Sequence, residues 1–205
     1  MRLFDYPLSG NGYKVRLMLA HLGIPYEYVP VDILKGETRT SQFLDKNANG
    51  RIPLLELDDG TCLAESNAIL FLLAQNTPYW PKAVLAQAQV LQWLFFEQYS
   101  HEPNIATARF WISIKKLEVT PFNEELLRQK QALGRAALKV MEDHLVRRHY
   151  FVAESYSIAD IALYAYTHVA GEGGFDLAAY PAVLEWLGRV RGQPRHVTIE
   201  QWRDA

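Results

Sequence analysis

Short apolar runs and one amphipathic stretch alternate over the first thirty residues. The apolar run at 2–6 predicts a strand, and the turn-rich loop at 7–12 leads into a helix whose apolar stripe ends before Gly23. Glycine is the usual residue in the left-handed position that ends a helix. Residues 26–31 alternate and are rich in valine and tyrosine, which predicts a second strand. Strand, helix and strand in this order predict a parallel pair with a right-handed crossover.

The next fifty residues read as a polar segment, a hairpin and a helix. The polar segment contains a short helix predicted over 40–44. Strands are predicted at 54–57 and 61–64, because the Asp59-Gly60 pair between them is a strong hairpin signal. A helix rich in leucine and isoleucine follows. The order βαβ and then ββα is that of a thioredoxin-like domain, which is a small mixed sheet flanked by helices.

The pattern changes after a segment that holds two prolines, residues 77–82, which we interpret as a linker. Beyond it nearly every stretch favours helix, which predicts four to six helices and no clear strand. The helical pattern is expected to break at Pro103, near Pro121, near Tyr156 and over 171–181. The predicted fold is an α/β N-terminal thioredoxin-like domain over 1–76 plus an all-α C-terminal domain over 83–205.

Composition and charge exclude several classes of function. Of the 205 residues, 49% are hydrophobic and 21% are charged, which is typical of a folded globular protein. A net charge of −2 offers no basic surface for nucleic acid or for a membrane. No span is apolar enough to cross a bilayer and no signal peptide is evident, so we expect a cytoplasmic protein. The single cysteine, Cys62, excludes an internal disulfide, and no histidine and acidic residues have the spacing of a metal site, so no metal is expected.

The first candidate for chemistry is the loop that contains Ser9 and Asn11 between two glycines. This loop leaves a strand at its carboxyl end and enters a helix at its amino end, where ligands bind in open α/β sheets. The helix N-terminus favours an anion such as a thiolate, and a serine hydroxyl there can donate a hydrogen bond to it. The alternative is that Ser9 or Asn11 only caps the helix.

The second candidate is Ile52-Pro53 at the entrance to the third strand. A cis bond at Pro53 would turn the backbone of Ile52 outward, where it can pair with the peptide bond of a ligand. The alternative is an ordinary trans proline at the start of a strand.

The third candidate is Glu65-Ser66 at the start of the third helix. The Ser66 hydroxyl and the first N–H groups of that helix suit a carboxylate, and Glu65 beside them can pair with an ammonium. One amino-acid head group carries both charges. The alternative is a helix cap with a favourable acidic neighbour.

A fourth motif, Ser157-Ile-Ala-Asp160, stands before an apolar run. It has the pattern of a capping box, with aspartate in place of the more usual glutamate. We assign Ser157 and Asp160 to folding as a structural cap.

These motifs together resemble those of the cytosolic glutathione transferases, and the resemblance extends over essentially the whole chain. The N-terminal loop is most similar to the bacterial serine-type branches, including the nu class. The segments that carry the resemblance begin at Ser9, Asn49, Leu63 and Ser157.

The resemblance implies a role for each matching residue. Ser9 would donate a hydrogen bond to the sulfur of glutathione, and Asn11 would lie near the same sulfur. The backbone of Ile52, ahead of a cis Pro53, would pair with the cysteinyl part. The γ-glutamyl group would bind at Glu65 and Ser66. Glutathione is then the co-substrate.

Two further positions bear on the catalytic group of the first loop. Tyr6 is a minor rival to Ser9, although it precedes a proline and ends the predicted strand. Some bacterial classes carry a cysteine in this loop, whereas this chain has none there, so covalent catalysis through a protein thiol is not expected. Cys62 is interpreted as a small core residue.

The resemblance also implies an electrophile pocket in the helical domain and a homodimer. The apolar surface of the third helix and of the first helix of the second domain is expected to be buried in the dimer. The candidate pocket residues are Tyr99, Ile105, Arg109 and Phe110.

Three functions follow as hypotheses. The first is a glutathione S-transferase that acts on a small hydrophobic electrophile, as in detoxification, with peroxidase activity as an accessory possibility. The second is a glutathione-dependent disulfide-bond reductase, which needs no protein cysteine. The third is a non-enzymatic scaffold that binds partner proteins, and the intact set of site residues argues against it.

Overall fold

The computed structural model describes residues 1–202, which divide into two compact units. Met1–Thr77 and residues 193–202 form the first unit, and Pro78–Gly192 form the second. The return of the chain to the first unit after Gly192 is a feature that the sequence did not indicate. The boundaries of 1–76 and 83–205 stay a prediction.

The first unit contains a four-stranded sheet in the order β2-β1-β3-β4. Strands β1 and β2 pair in parallel, whereas β3 is antiparallel to both β1 and β4. The four strands are β1 (Arg2–Asp5), β2 (Glu27–Pro30), β3 (Leu54–Glu56) and β4 (Cys62–Ala64). This is the mixed sheet that the sequence pattern predicts.

Three helices accompany the sheet: α1 (Gly10–Leu22), α2 (Ser41–Leu44) and α3 (Ser66–Ala74). Short 3-10 turns at Ile33–Lys35 and Glu37–Arg39 precede α2. One side of the sheet packs on α1 and α3 through a buried cluster, and a second cluster lies against α2. The first cluster consists of Leu3, Val15, Leu19, Leu55 and Ile69.

The second unit is helical, with α4 (Val84–Phe96), α5 (Glu102–Arg109), α6 (Pro121–Leu145), α7 (Ile158–Thr167) and α8 (Pro181–Arg191). Short 3-10 turns at Ala170–Gly173 and Leu177–Ala179 separate α7 from α8. An α/β unit with a helical unit confirms the predicted fold class. Among residues 1–202, none of the helices has both the length and the apolar character needed to cross a bilayer.

The expected break at Pro103 is wrong. The chain stays helical through α4 and α5, because the π-helical turn Glu97–His101 precedes Pro103, and a second π-helical turn, Phe110–Ile114, follows α5. A proline lacks an N–H and its ring collides with the carbonyl four residues back in an α-helix. The wider π turn accommodates it, and the Glu102 N–H donates to the Glu97 carbonyl five residues back.

The capping box at Ser157 and Asp160 is present at the start of α7. The Asp160 carboxylate is fully buried and accepts hydrogen bonds from the Ser157 N–H and hydroxyl, the Phe151 N–H and the Trp186 indole. Burial raises the pKa of Asp160 to about 6, although the donors favour its charged form. The cap therefore joins the start of α7 to α8 as well as to the preceding loop.

Replacing Ser157 by alanine is expected to lower the free energy of unfolding by about 1 kcal/mol, because the first turn of α7 loses the hydroxyl that accepts the Ala159 N–H. Denaturant unfolding of the purified variant measures this. Ser155 is exposed and bonds only within its own loop, so Ser155→Ala is the matched control and should change stability by less than about 0.5 kcal/mol. Equal effects of the two changes would contradict the assignment.

Candidate functional site

Ser9 joins β1 to α1 and is the N-cap of that helix. Its Oγ accepts a hydrogen bond from the Gly12 N–H at 3.1 Å. Helix α1 therefore begins at Gly10, inside the segment that the sequence predicted as a loop, because the serine cap satisfies a first-turn N–H in spite of the glycines. The capping interpretation and the functional one are compatible. A hydroxyl that accepts through its oxygen keeps its hydrogen to donate elsewhere.

The start of α1 favours a negative charge. The helix has 13 residues and no acidic side chain in its first turn. Its aligned peptide dipoles place roughly half a positive elementary charge at that end. An anion beside Ser9 would therefore be stabilised both by the dipole and by the serine hydroxyl.

Gly12 packs directly against the buried carboxylate of Asp5. A Cβ built at position 12 would lie 1.7 Å from Asp5 Oδ1, which is a complete overlap. Only glycine fits there while Asp5 keeps its position. A cysteine at position 12 is excluded for the same reason, which gives a structural cause for the absence of a thiol at that position of the loop.

Three polar side chains meet between α1 and α3. Lys14 Nζ donates to Asn11 Oδ1 at 2.8 Å and to Ser66 Oγ at 3.3 Å. Ser66 Oγ in turn lies 3.4 Å from Asn11 Oδ1. Lys14 is completely buried and Ser66 is nearly so, whereas Asn11 is half-buried. The structure thus brings two predicted site residues, Asn11 and Ser66, together through a lysine that the prediction did not include.

The loop before β3 presents a free stretch of backbone. The Ile52-Pro53 peptide bond is cis. Asn47 holds the loop, since its Nδ2 donates to the Arg51 carbonyl at 2.8 Å and its Oδ1 accepts from the Asn49 N–H. Within residues 1–202, the N–H and carbonyl of Ile52 form no hydrogen bond. This backbone segment is therefore available to pair with a peptide group.

Glu65 and Ser66 stand at the junction of β4 and α3. Glu65 is exposed and has a φ of 68° and a ψ of 111°. A residue other than glycine in this region is strained by about 1–3 kcal/mol, and such residues concentrate at ligand sites. Ser66 is the first residue of α3 and is 4% exposed. The pair therefore offers an exposed carboxylate next to a serine hydroxyl at the positive end of a helix.

A buried ion pair joins α1 to β1. Arg16 and Asp5 are both fully buried, with Nε 3.1 Å from Asp5 Oδ2. The same guanidinium donates to the carbonyls of Pro7 and Ile199 at 2.9 and 2.8 Å. Burial raises the pKa of Asp5 to about 7 and the Arg16 charge opposes that rise. Arg16 therefore fixes the start of the Ser9 loop, the strand before it and the returning C-terminal segment at one point.

Two family models match the chain, the glutathione S-transferase N-terminal domain over residues 1–75 and the glutathione S-transferase C-terminal domain over residues 90–194. The chain belongs to the glutathione S-transferase family. The resemblance that the sequence motifs indicated is thereby confirmed.

Known members of the family show how much of the fold is shared. A crystal structure of a glutathione S-transferase from Pseudomonas fluorescens is 54% identical, covers 97% of this chain and 98% of its own, and superposes with a TM-score of 0.94. The disulfide-bond oxidoreductase YfcG of Escherichia coli is 30% identical over 90% of this chain and 87% of its own length. Elongation factor 1-gamma of Artemia salina is 32% identical over 83% of this chain, but the match spans only 40% of the length of that protein.

The four residues predicted for the electrophile pocket all belong to the helical unit of this chain, but they differ in solvent exposure and in contacts. Tyr99 is 88% exposed, whereas Ile105 is fully buried. Arg109 is buried and its Nε donates to Glu172 at 2.8 Å. Phe110 is half-buried at the start of the second π-helical turn. The four residues thus range from the surface at Tyr99 to the interior at Ile105, and their role in a pocket stays a prediction.

A cavity of about 270 Å³ lies elsewhere in the helical unit and is lined mostly by apolar side chains. None of the four predicted pocket residues lines it. Its apolar lining consists of Trp111, Ile112, Leu117, Val119 and Leu127. In the part of the chain that the structure describes, no group of three His, Cys, Asp or Glu residues is placed to hold a metal ion.

The structure adds three residues to the candidate set: Asp5, Lys14 and Arg16. A signal for the two basic residues exists in the sequence, since Lys14 and Arg16 alternate with apolar residues inside the α1 stripe. A charge in such a stretch is either exposed or paired in the interior, and charged residues are almost never buried alone. Asn11 lies one helical turn before Lys14, but the partners Ser66 and Ile199 are far along the chain and have no local signal.

Proposed function

We propose that this protein binds glutathione in its first unit, stabilises the thiolate and transfers it to an electrophilic carbon of a small hydrophobic molecule. The observation that carries the proposal is the Ser9 hydroxyl, which caps α1 and keeps a hydrogen to donate at the positive end of that helix. A free thiol has a pKa of about 8.5, and each unit of lowering requires about 1.4 kcal/mol. A charge-assisted hydrogen bond and the helix dipole are sufficient to lower it by about one to two.

The remaining site residues match the parts of glutathione. The unpaired backbone of Ile52 suits the cysteinyl peptide groups, and cis Pro53 follows it. Glu65 and Ser66 suit the ammonium and carboxylate of the γ-glutamyl group. Asn11 is within reach of Ser66 and is assigned to the sulfur end. Tyr6 is a minor alternative to Ser9, and its carbonyl accepts the Ser9 N–H at 2.8 Å.

In the transfer reaction, binding raises the effective concentration of the nucleophile and the loop stabilises its charge. The thiol proton passes to solvent, the sulfur–carbon bond forms, and the leaving group departs with its bonding electrons. We assign the electrophile to the helical unit, with Tyr99, Ile105, Arg109 and Phe110 as its proposed contacts. Detoxification of reactive small molecules is the role that fits this chemistry.

Disulfide reduction is the second candidate, and the similarity to the oxidoreductase YfcG favours it. A bound glutathione thiolate would attack one sulfur of the substrate disulfide and expel a thiolate. A second glutathione would then attack the mixed disulfide, so that two glutathiones are oxidised and one disulfide is reduced. The scaffold hypothesis is supported by the likeness to elongation factor 1-gamma, of which this chain spans less than half.

Turnover of two probes separates these functions. With reduced glutathione as co-substrate, a chlorodinitrobenzene reports transfer to carbon, and a small dialkyl disulfide reports reduction. Faster turnover of the aryl halide is the expected result. Turnover of the disulfide alone would replace the transferase proposal by the reductase, and turnover of neither would support the scaffold.

We also propose a homodimer, which the exposed apolar residues on individual helices support. On α4 and the turn that follows it, Leu91, Phe95 and Tyr99 recur every fourth position and are 37%, 69% and 88% exposed. Exposed apolar surface of this kind marks interaction sites in folded proteins.

Sedimentation analysis is expected to give twice the mass of one chain. The variant Phe95→Glu should sediment as the monomer, because a charge on this face has to be desolvated when the two copies associate. Phe122 is similarly exposed on α6, so Phe122→Glu is the matched control and should remain dimeric. Monomeric wild-type protein would overturn the proposal.

A further inference from the structure

The orientation of the Asn11 amide is fixed by its neighbours. Its Oδ1 lies 2.8 Å from Lys14 Nζ and 3.4 Å from Ser66 Oγ. Amide oxygen and nitrogen are assigned from the surrounding donors and acceptors. An ammonium group has three donors and no acceptor, so the amide atom that faces it has to be the oxygen. The reversed amide would direct hydrogens against the ammonium.

The amide nitrogen of Asn11 therefore points away from Lys14. The ammonium also withdraws electron density through the oxygen, which makes the N–H groups of the same amide stronger donors. Lys14 stands one helical turn after Asn11 on α1 and is completely buried, so it cannot easily leave this position.

We propose that Lys14 is a positioning residue that holds the Asn11 amide with its nitrogen toward the sulfur of bound glutathione. This inference rests on the proposed function, in which Asn11 serves the sulfur end of the site. Lys14 itself touches neither the sulfur nor the leaving group. It acts through the Asn11 amide, which then donates a second hydrogen bond to the thiolate beside that of Ser9.

The contact with Ser66 explains why a lysine is needed. In the structure, the Ser66 hydroxyl also faces Asn11 Oδ1 and helps to hold it. When a γ-glutamyl carboxylate binds, the Ser66 hydrogen turns to that carboxylate and leaves the amide. Lys14 has further hydrogens and retains its bond to Asn11. The amide thus keeps its orientation while the head-group site is occupied.

The decisive measurement is the pKa of the glutathione thiol when bound, followed by the ultraviolet absorbance of the thiolate as pH is varied. Lys14→Met removes the ammonium and preserves an unbranched apolar side chain. In this variant the pKa of the bound thiol should rise by about one, so the fraction of thiolate should fall about tenfold at pH values below the wild-type pKa. S-methylglutathione has no ionisable thiol. Its affinity for Lys14→Met should therefore stay within about threefold of its affinity for the wild-type protein, and this result would show that the site is intact.

A double-mutant cycle with Asn11→Ala tests whether Lys14 acts through Asn11. The double variant should have the same bound-thiol pKa as Asn11→Ala alone. Additive effects of the two changes would overturn the proposal, as would an unchanged thiol pKa in Lys14→Met that still binds S-methylglutathione. If Lys14→Met does not fold, Lys14→Gln, which also removes the charge, takes its place in the cycle, and an unchanged thiol pKa in Asn11→Ala would still overturn the proposal. Failure of wild-type protein to bind either ligand would instead refute the proposed function.

Discussion

Replacing Ser9 by alanine should lower kcat about 10- to 100-fold, with an aryl halide and with a disulfide alike. The hydroxyl is the one group at the start of α1 that can both cap the helix and donate to a thiolate. Its loss should raise the pKa of the bound thiol by about one, because the thiolate loses one charge-assisted hydrogen bond, worth about 1.5 kcal/mol or more, while the helix dipole remains. The pH profile of kcat/KM should shift upward by the same amount, so the deficit should shrink at high pH.

The control for Ser9→Ala is Ser9→Thr, which keeps a hydroxyl at the same atom and remains a good helix cap. It should retain most of the activity. Because alanine also removes the cap, unfolding of Ser9→Ala should be monitored, and about 1 kcal/mol of destabilisation is expected. Unchanged kcat in a folded Ser9→Ala variant would refute the role of Ser9 and would direct attention to Tyr6.

The largest effect on stability is expected for Arg16→Met. The variant has no guanidinium and so loses the bonds to Asp5 and to the carbonyls of Pro7 and Ile199, all of which are buried or half-buried. Removing one partner of a buried ion pair costs about 3–5 kcal/mol, because the other charge is left without compensation. Denaturant unfolding measures the loss, and glutathione affinity should fall as well, since Pro7 belongs to the loop that carries Ser9.

The double variant Arg16→Met with Asp5→Asn separates the charge from the packing. Asparagine has the shape of aspartate and no charge, so the double variant should recover a large part of the lost free energy of unfolding. A double variant as unstable as Arg16→Met would show that the bonds to the two carbonyls, and not the uncompensated carboxylate, account for the loss. An Arg16→Met variant as stable as wild type would contradict the structure of this pair.

The order of strands and helices in the first unit was predictable, because strands, turns and helix caps have local signals. The Asp59-Gly60 hairpin in the first unit and the Ser157–Asp160 box in the second are examples in which a few neighbouring residues determine the backbone. The continuous helix through Pro103 was not predictable. A π-helical turn of five residues precedes the proline and accommodates it, and no local sequence signal marks such a turn.

The candidate site was predictable only in part for a similar reason. Ser9, Ile52 and Ser66 each stand at the end of an element and are visible in the motifs. Lys14 and Arg16 depend on partners far along the chain, at Ser66 and at Ile199. Such contacts arise when α3 and the C-terminal segment fold against α1, so no local pattern specifies them.

Calorimetric titration of the purified protein with reduced glutathione tests the central claim most directly. Wild-type protein should show saturable binding, and Ser66→Ala should weaken it about tenfold or more, because a hydrogen bond to a charged group contributes about 1.5–3 kcal/mol. Ser155→Ala, an exposed serine of the second unit, should bind as wild type does. No saturable binding at millimolar glutathione, or equal affinity in Ser66→Ala, would contradict the account of this site.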